Sequence, residues 1–275
     1  MCILFVYRNP KAVERSYRLI VASNRDEVDT RPAKPAHYWD KNPDCLGGVD
    51  SEPGKEGGTW FALSTKGRAG VLLNLPGYMR VADDAGKGRG YLVVDYLTSD
   101  DSPINYLNKL HNVNQTSQPY NPYNLILLDL HDASIEYLSS SPETSGPQQY
   151  SGDIFGVSNS LVEEPYAKVR AGMEEMRRIV RGVTVSDRDT LIENLGKMLK
   201  SKKRHLPDPE LRKRSPKWHE ALSSICVSDE RLDYKTRTHT ILLVDGSDNV
   251  TFHEETKMPD NTWKLQTFET KLKPR

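Results

Sequence analysis

The chain has 275 residues, and 38 Lys+Arg are balanced by 38 Asp+Glu, for a formal net charge of zero. That balance excludes bulk electrostatic attraction to nucleic acid or to an anionic bilayer as a default role. With 36% hydrophobic residues and a mean hydropathy of −0.65, the sequence reads as a soluble globular protein, long enough to bury a core without staples.

Three scattered cysteines, Cys2, Cys45 and Cys226, argue against a disulfide framework and for a reducing compartment. The opening apolar run, Ile3 to Tyr7, is too short for a secretory leader or a membrane span. The expectation is therefore a cytoplasmic protein with no transmembrane segment, for which any membrane association is peripheral or through a partner.

In chain order, short apolar runs predict strands over 2–7, 18–23, 60–64 and 69–73, the last two joined by a hairpin at Thr65-Lys-Gly67. Residues 24–58, with prolines at 32, 35, 43 and 53, read as one long loop. Helices are predicted over 90–98 and 103–111, the second capped by Ser102 with proline at its first position. Strands return over 124–130 and 135–139, flanking His131-Asp-Ala, and over 154–158. Val169, Met173, Met176 and Val180 form a helical stripe, followed by a helix capped by Ser186 or Asp187. Strands over 238–244, 250–253 and 263–270 close the chain. Hairpins broken by helix blocks, without βαβ alternation, give an α+β fold in a single domain, 1–275.

Cys2 is the most informative residue. A small second residue normally allows the initiator methionine to be removed, leaving a cysteine that carries both a thiol and a free α-amine. The amine has a reference pKa of about 7.7–8.0, so near neutral pH it takes a proton from a thiol of pKa about 8.5. Cys2 also reads as a buried strand cysteine or a palmitoylation site. Asn24-Arg25-Asp26-Glu27 follows the second strand, where Asp26 is placed to fix an ammonium or to sit in a solvated turn. Asn74 and Asn159 each end a strand, as amide donors to an oxyanion or as turn residues. Gly86-Lys-Gly-Arg-Gly90 precedes a helix and is a candidate phosphate-holding turn, such as for coenzyme A, or a flexible leader. The histidines and cysteines form no metal-ligand spacing, so no metal site is expected.

Met1-Cys2 before an apolar strand, Asn24-Arg25-Asp26-Glu27, Glu56-Gly57-Gly58-Thr59-Trp60, Gly88-Arg89-Gly90, Gly156-Val-Ser-Asn159 and Thr236-Arg237-Thr-His-Thr-Ile-Leu-Leu-Val-Asp245 together resemble the NRDE family. The resemblance implies a four-layer αββα N-terminal nucleophile hydrolase-like sandwich of antiparallel sheets. It also implies a cytosolic protein with Golgi and mitochondrial associations, acting in secretion, Golgi organisation, lipid handling and haem movement. The cholylglycine and penicillin V hydrolases share that fold. By resemblance to them Cys2 matches the nucleophile, Asp26 the aspartate after the second strand, Asn74 and Asn159 the two asparagines, and Arg237 the late arginine. Ser23 stands where they carry an arginine, with Arg25 nearby. The family motifs further imply Asn24, Arg25, Glu27, Gly57, Gly58, Trp60 and Arg89 as binding positions.

Two functions follow. One is a carrier that binds a hydrophobic or acyl-bearing small molecule, haem or acyl-coenzyme A, with no required cofactor. The other is an amidohydrolase or thioesterase in which Cys2 attacks a carbonyl.

Overall fold

The computed structural model describes residues 1–76, 88–117, 119–141 and 144–275. Gly86 and Lys87, named above in a sequence motif, lie outside the described residues. The chain forms two compact units: unit 1 comprises Met1–Thr30 and Gly152–Lys271, and unit 2 comprises Arg31–Ser151 and Leu272–Arg275.

Unit 1 opens with β1 (Ile3–Arg8) and β2 (Tyr17–Val28). The chain then builds unit 2 from β3 (Ala33–Trp39), β4 (Asn42–Asp50), β5 (Phe61–Ser64), β6 (Arg68–Asn74), α1 (Tyr91–Thr98), α2 (Pro103–Thr116), β7 (Tyr123–Asp129), β8 (Ser134–Ser139) and β9 (Gln148–Tyr150). It returns to unit 1 with β10 (Ile154–Val157), α3 (Ala167–Ile179), α4 (Arg188–Leu199), α5 (Pro209–Arg214), β11 (Tyr234–Asp245), β12 (Asn249–Lys257) and β13 (Trp263–Lys271). Unit 1 holds a sheet of order β10-β1-β2-β11-β12-β13 and unit 2 one of order β3-β4-β5-β6-β7-β8-β9. Every pairing in both is antiparallel. The chain is thus α+β with two antiparallel sheets, each carrying helices.

Strand alternation decides which side chains meet those helices. In unit 1, Ile3 and Phe5 of β1, Ile20 and Ala22 of β2, and Ile241 and Leu243 of β11 form one apolar cluster with Val169 and Met176 of α3 and Leu191, Leu195 and Met198 of α4. In unit 2, Leu125 and Leu127 of β7 pack with Leu92, Val93 and Tyr96 of α1 and Leu107 and Leu110 of α2. Ser102 caps α2 as its sequence suggests, accepting from the Asn105 N–H at 3.4 Å.

The expected long loop over 24–58 is corrected. β2 runs on to Val28, and β3 and β4 form a hairpin within that span. The prolines mislead because β3 is an edge strand, where Pro35 need not donate to a neighbour, while Pro43 sits beside the turn between Trp39 and Asn42. The short β9 and α5 carry too little periodicity to be read from sequence. Asp187 stands at the N-cap of α4, one of the two expected positions, but its side chain makes no cap bond there; it closes a capping box with Thr184 around a 3₁₀ turn, Val185–Asp187, leading into α4.

Candidate functional site

Register places the sequence-predicted residues of unit 1 in two rows at one end of its sheet. β1 pairs with β10 so that Leu4 faces Val157, and with β2 so that Leu4 faces Ser23. The pairing with β2 reaches Ile3, which faces Asn24, so Cys2 and Arg25 follow directly on that pair, and the Ser158 hydroxyl donates to the Cys2 carbonyl. Arg25 in turn faces Thr238 of β11. Arg25 and Thr238 therefore share the sheet face opposite the helices, with Cys2 directly before β1 and Asn159 two residues past β10. Arg237 is the extra residue of a β-bulge, since Asp26 pairs with Thr236 while Arg25 pairs with Thr238. Its guanidinium donates to the Val28 carbonyl at 3.0 Å.

Asp26 points to the helix side, with Ala22 and Ile20. Its Oδ2 lies 2.7 Å from the terminal ammonium of Met1, and its Oδ1 accepts from the Thr236 hydroxyl at 2.6 Å. The Met1 side chain is packed into the apolar cluster of unit 1. Cys2 sits between the rows: its Sγ accepts from the Asp26 N–H at 3.4 Å, and its carbonyl accepts from the Ser158 hydroxyl at 2.7 Å. Burial pushes the Cys2 thiol above its ordinary value, opposed by the nearby terminal ammonium. Burial also lowers the pKa of that ammonium, opposed by Asp26. With Met1 in place, Cys2 is a neutral thiol near pH 7, beside a carboxylate that already holds an ammonium.

Asn24 has a structural task. Its amide donates to the carbonyls of Leu199, at 2.8 Å, and Ile225, at 3.0 Å, satisfying an orphan acceptor at the C-terminus of α4. Its oxygen is thereby left to accept from His239 Nδ1 at 2.7 Å. Glu27 turns its carboxylate back to the Val28 N–H at 2.9 Å. Ser23 donates to the Ile3 carbonyl at 3.0 Å, tying β2 to β1.

The remaining predicted residues belong to unit 2. Asn74 is exposed at the last position of β6, opposite Tyr123. Gly57 has φ +89°, a left-handed turn position, and its N–H donates to the Asp50 carbonyl at 3.0 Å. Gly58 accepts from the Asp50 N–H at 2.7 Å, and a Cβ there would stand 3.2 Å from Gly90 Cα. Trp60 accepts on its carbonyl from Leu72 at 2.8 Å, and Arg89 donates to the Pro122 carbonyl at 2.8 Å. These residues knit the start of α1 to the β4–β5 connection.

Sequence reasoning missed Lys168, Thr236 and Tyr234. Lys168 is completely buried on α3, its Nζ donating to the Ser224 carbonyl at 3.0 Å. Burial lowers its pKa, and Asp26 and Cys2 are among the groups that oppose the shift. The available signal was spacing: Lys168 shares its helix stripe with Gly172 and Met176, so a charge stands where periodicity calls for an apolar residue. Tyr234 packs against the apolar cluster of unit 1, and burial holds its hydroxyl well above the ordinary range. Among the described residues no three His, Cys, Asp or Glu side chains cluster as a metal site, and no helix is long and apolar enough to cross a membrane.

Comparison with known proteins extends to the whole chain. It is 36% identical over 279 residues to Transport and Golgi organization protein 2 of Drosophila melanogaster, covering 98% of each. It is 36% identical over 283 residues to the Homo sapiens homologue of that protein, covering 99% of each. Solved structures that align with it include a conjugated bile acid hydrolase of Clostridium perfringens (TM-score 0.49, 8% identity, covering 98% of this chain and 96% of that one) and a Caenorhabditis elegans ortholog of N-acylethanolamine-hydrolyzing acid amidase (TM-score 0.49, 9% identity, covering 70% and 85%). Residues 1–259 match the family described as Transport and Golgi organisation 2, and the chain belongs to that family.

Proposed function

We propose that this chain serves in transport and Golgi organisation, as the names of its relatives indicate, by binding an acyl-bearing hydrophobic small molecule at the Cys2 end of unit 1. The observation that carries this reading is the pair Arg25 and Thr238 at the sheet end where Cys2 contacts the Asp26 backbone and Ser158, the residue before Asn159. It sets an amide, a guanidinium and a hydroxyl around a neutral thiol, a donor set suited to a carbonyl or anionic head group. Acyl-coenzyme A offers both groups, and haem offers propionates. Titrating palmitoyl-coenzyme A and haemin in parallel, by calorimetry and by absorbance, separates the two ligands. Arg25→Ala is expected to weaken binding about tenfold, near 1.4 kcal/mol, whereas Cys2→Ala leaves it within about twofold. Unchanged affinity in Arg25→Ala would overturn the reading.

A second reading, cysteine-dependent hydrolysis of an amide or thioester, is favoured by the carboxylate of Asp26 standing 2.7 Å from a terminal ammonium. Removal of Met1 makes the Cys2 amine the chain terminus beside its own thiol, joining nucleophile and base in one residue. Intact-mass measurement reports the terminus, and release of free coenzyme A or fatty acid, lost in Cys2→Ala, reports turnover. Retention of Met1 together with absence of released product would rule this reading out.

A further inference from the structure

β13 forms one edge of the unit 1 sheet, and its first apolar residues stay in water: Trp263 is 45% exposed and Leu265 57%. Alternation puts both side chains on the face that carries the helices, where Trp263 stacks on His239 and Leu265 pairs with Glu255. The basic run Lys200-Ser-Lys-Lys-Arg204, which follows α4, crosses the same end of that face. Lys200 Nζ lies 2.7 Å from Glu255 Oε2, and Ser201 accepts from the Cys226 N–H at 2.9 Å. The next residue, Val227, donates to the Thr236 hydroxyl of β11 at 2.8 Å. Neighbouring acids are already engaged: Glu255 by Lys200, Glu269 by Arg188, and Asp229 by Arg204 and Arg231. Lys202, Lys203 and Lys264 are exposed and make no ion pair among the described residues, against the single carboxylate of Asp260 in the β12–β13 turn. An apolar pair on a sheet edge thus adjoins a local surplus of positive charge.

We propose that this surface docks the protein onto an anionic lipid bilayer, with Trp263 and Leu265 entering the head-group boundary and the unpaired lysines lying over acidic head groups. A chain of zero net charge is not drawn to such a surface as a whole, but charges within a Debye length of it act locally, each lysine changing partitioning about fivefold. The lysines select acidic over zwitterionic lipid. Trp263 and Leu265 select a bilayer over an acidic protein, because an indole and an aliphatic chain gain most where water gives way to hydrocarbon. The docking goes beyond ligand binding at the Cys2 end and does not depend on it.

The test is co-sedimentation of the full chain with large vesicles at about 0.1 M salt, either pure phosphatidylcholine or phosphatidylcholine with about 30 mol% phosphatidylserine. Partitioning onto the acidic vesicles is expected to exceed that onto the neutral ones at least tenfold, roughly the effect of two lysines. Lys202→Ala and Lys203→Ala should each lower it about fivefold, and Leu265→Glu about tenfold or more. Lys11→Ala with Lys41→Ala, which removes the same charge from exposed loops elsewhere, should leave it within about twofold. These side chains are all exposed, and an unchanged circular dichroism spectrum checks that each variant is folded. Equal partitioning onto the two vesicle types, an equal loss in the Lys11/Lys41 control, or full binding by Leu265→Glu would overturn the proposal. Arg25→Ala, which reports on ligand binding, is expected to leave vesicle partitioning unchanged, so the two readings fail separately.

Discussion

His239 ties the middle of β11 to the helix side of unit 1 through a bond whose direction is fixed by its partner. Because the Asn24 amide is committed to two carbonyls, the Asn24 oxygen accepts and His239 Nδ1 donates, which selects the neutral Nδ1–H ring. The ring also stacks on Trp263, with centroids 5.0 Å apart and planes 15° off parallel. Burial lowers the pKa of His239 to about 4 from 6.5. A base that protonates less readily when folded gives the unfolded state more bound protons between those two values. Stability is therefore whole above pH 6.5, falls as pH drops towards 4, and is lost by about 3 kcal/mol below that. Urea denaturation across this window should show a steeper acid loss in wild type than in His239→Gln, and parallel curves would refute the assignment. The residues of this site were partly legible in the sequence. Position singled out Cys2, after the initiator, and Asp26, expected past a strand end but lying inside β2. Asn24 looked equally exposed to chemistry but is held by the C-terminus of α4, a contact with residues some 175 positions away that no local pattern encodes. Lys168 was hidden for a similar reason, since only the tertiary fold brings α3 against the start of β1.

At the scale of elements, α3 approaches the sheet of unit 1 closely because glycines stand where its ridges meet the strands. A Cβ on Gly172 would lie 2.1 Å from Cζ of Phe5, a ring buried in β1, whereas a Cβ on Gly156 of β10 would meet the flexible side chain of Met173 at 2.6 Å. Gly172→Ala improves helix propensity by about 1 kcal/mol, but overpacking a filled core costs about 1–3 kcal/mol or more, and a buried ring has little room to retreat. Gly172→Ala is thus expected to lower stability by about 2 kcal/mol. Gly156→Ala is expected to lower it by less than half as much, because methionine repacks. Equal losses in thermal melts would contradict this account. The same close packing explains which elements the sequence revealed. The stripe Val169, Met173, Met176 and Val180 announced α3, and the hairpin at Thr65-Lys-Gly67 appeared where Ser64 pairs with Arg68 and Gly67 takes φ +88°. The β3–β4 hairpin stayed hidden because its prolines sit at an edge and beside a turn, where the sheet tolerates them and a reader counts them as loop.

Across the whole molecule, the chain does not finish one unit before starting the other. β1 and β2 are laid down first, unit 2 is inserted between residues 30 and 152, and the last four residues join unit 2 after β13 has closed the sheet of unit 1. That short tail is well tethered. The Lys273 N–H donates to the Thr65 carbonyl at 2.7 Å and its ammonium reaches Asp44, while Arg275 bridges Asp129 at 2.7 Å and Asp132 at 3.0 Å. Leu272 is 5% exposed. The exposed ion pairs contribute under about 1 kcal/mol each, so the buried leucine, at about 1.5–3 kcal/mol, supplies most of the stabilisation. Removing residues 272–275 should therefore act on unit 2 alone. Hydrogen exchange of the truncated chain is expected to quicken about tenfold at the β5–β6 turn around Thr65 and the β7–β8 turn around Asp129, with β1, β2 and β11 protected as before. Leu272→Ala in the full chain should reproduce most of that change, whereas Arg275→Ala should reproduce little. Faster exchange spread evenly over both units, or none anywhere, would show that the tail does not serve as a local clasp on the hairpins of unit 2.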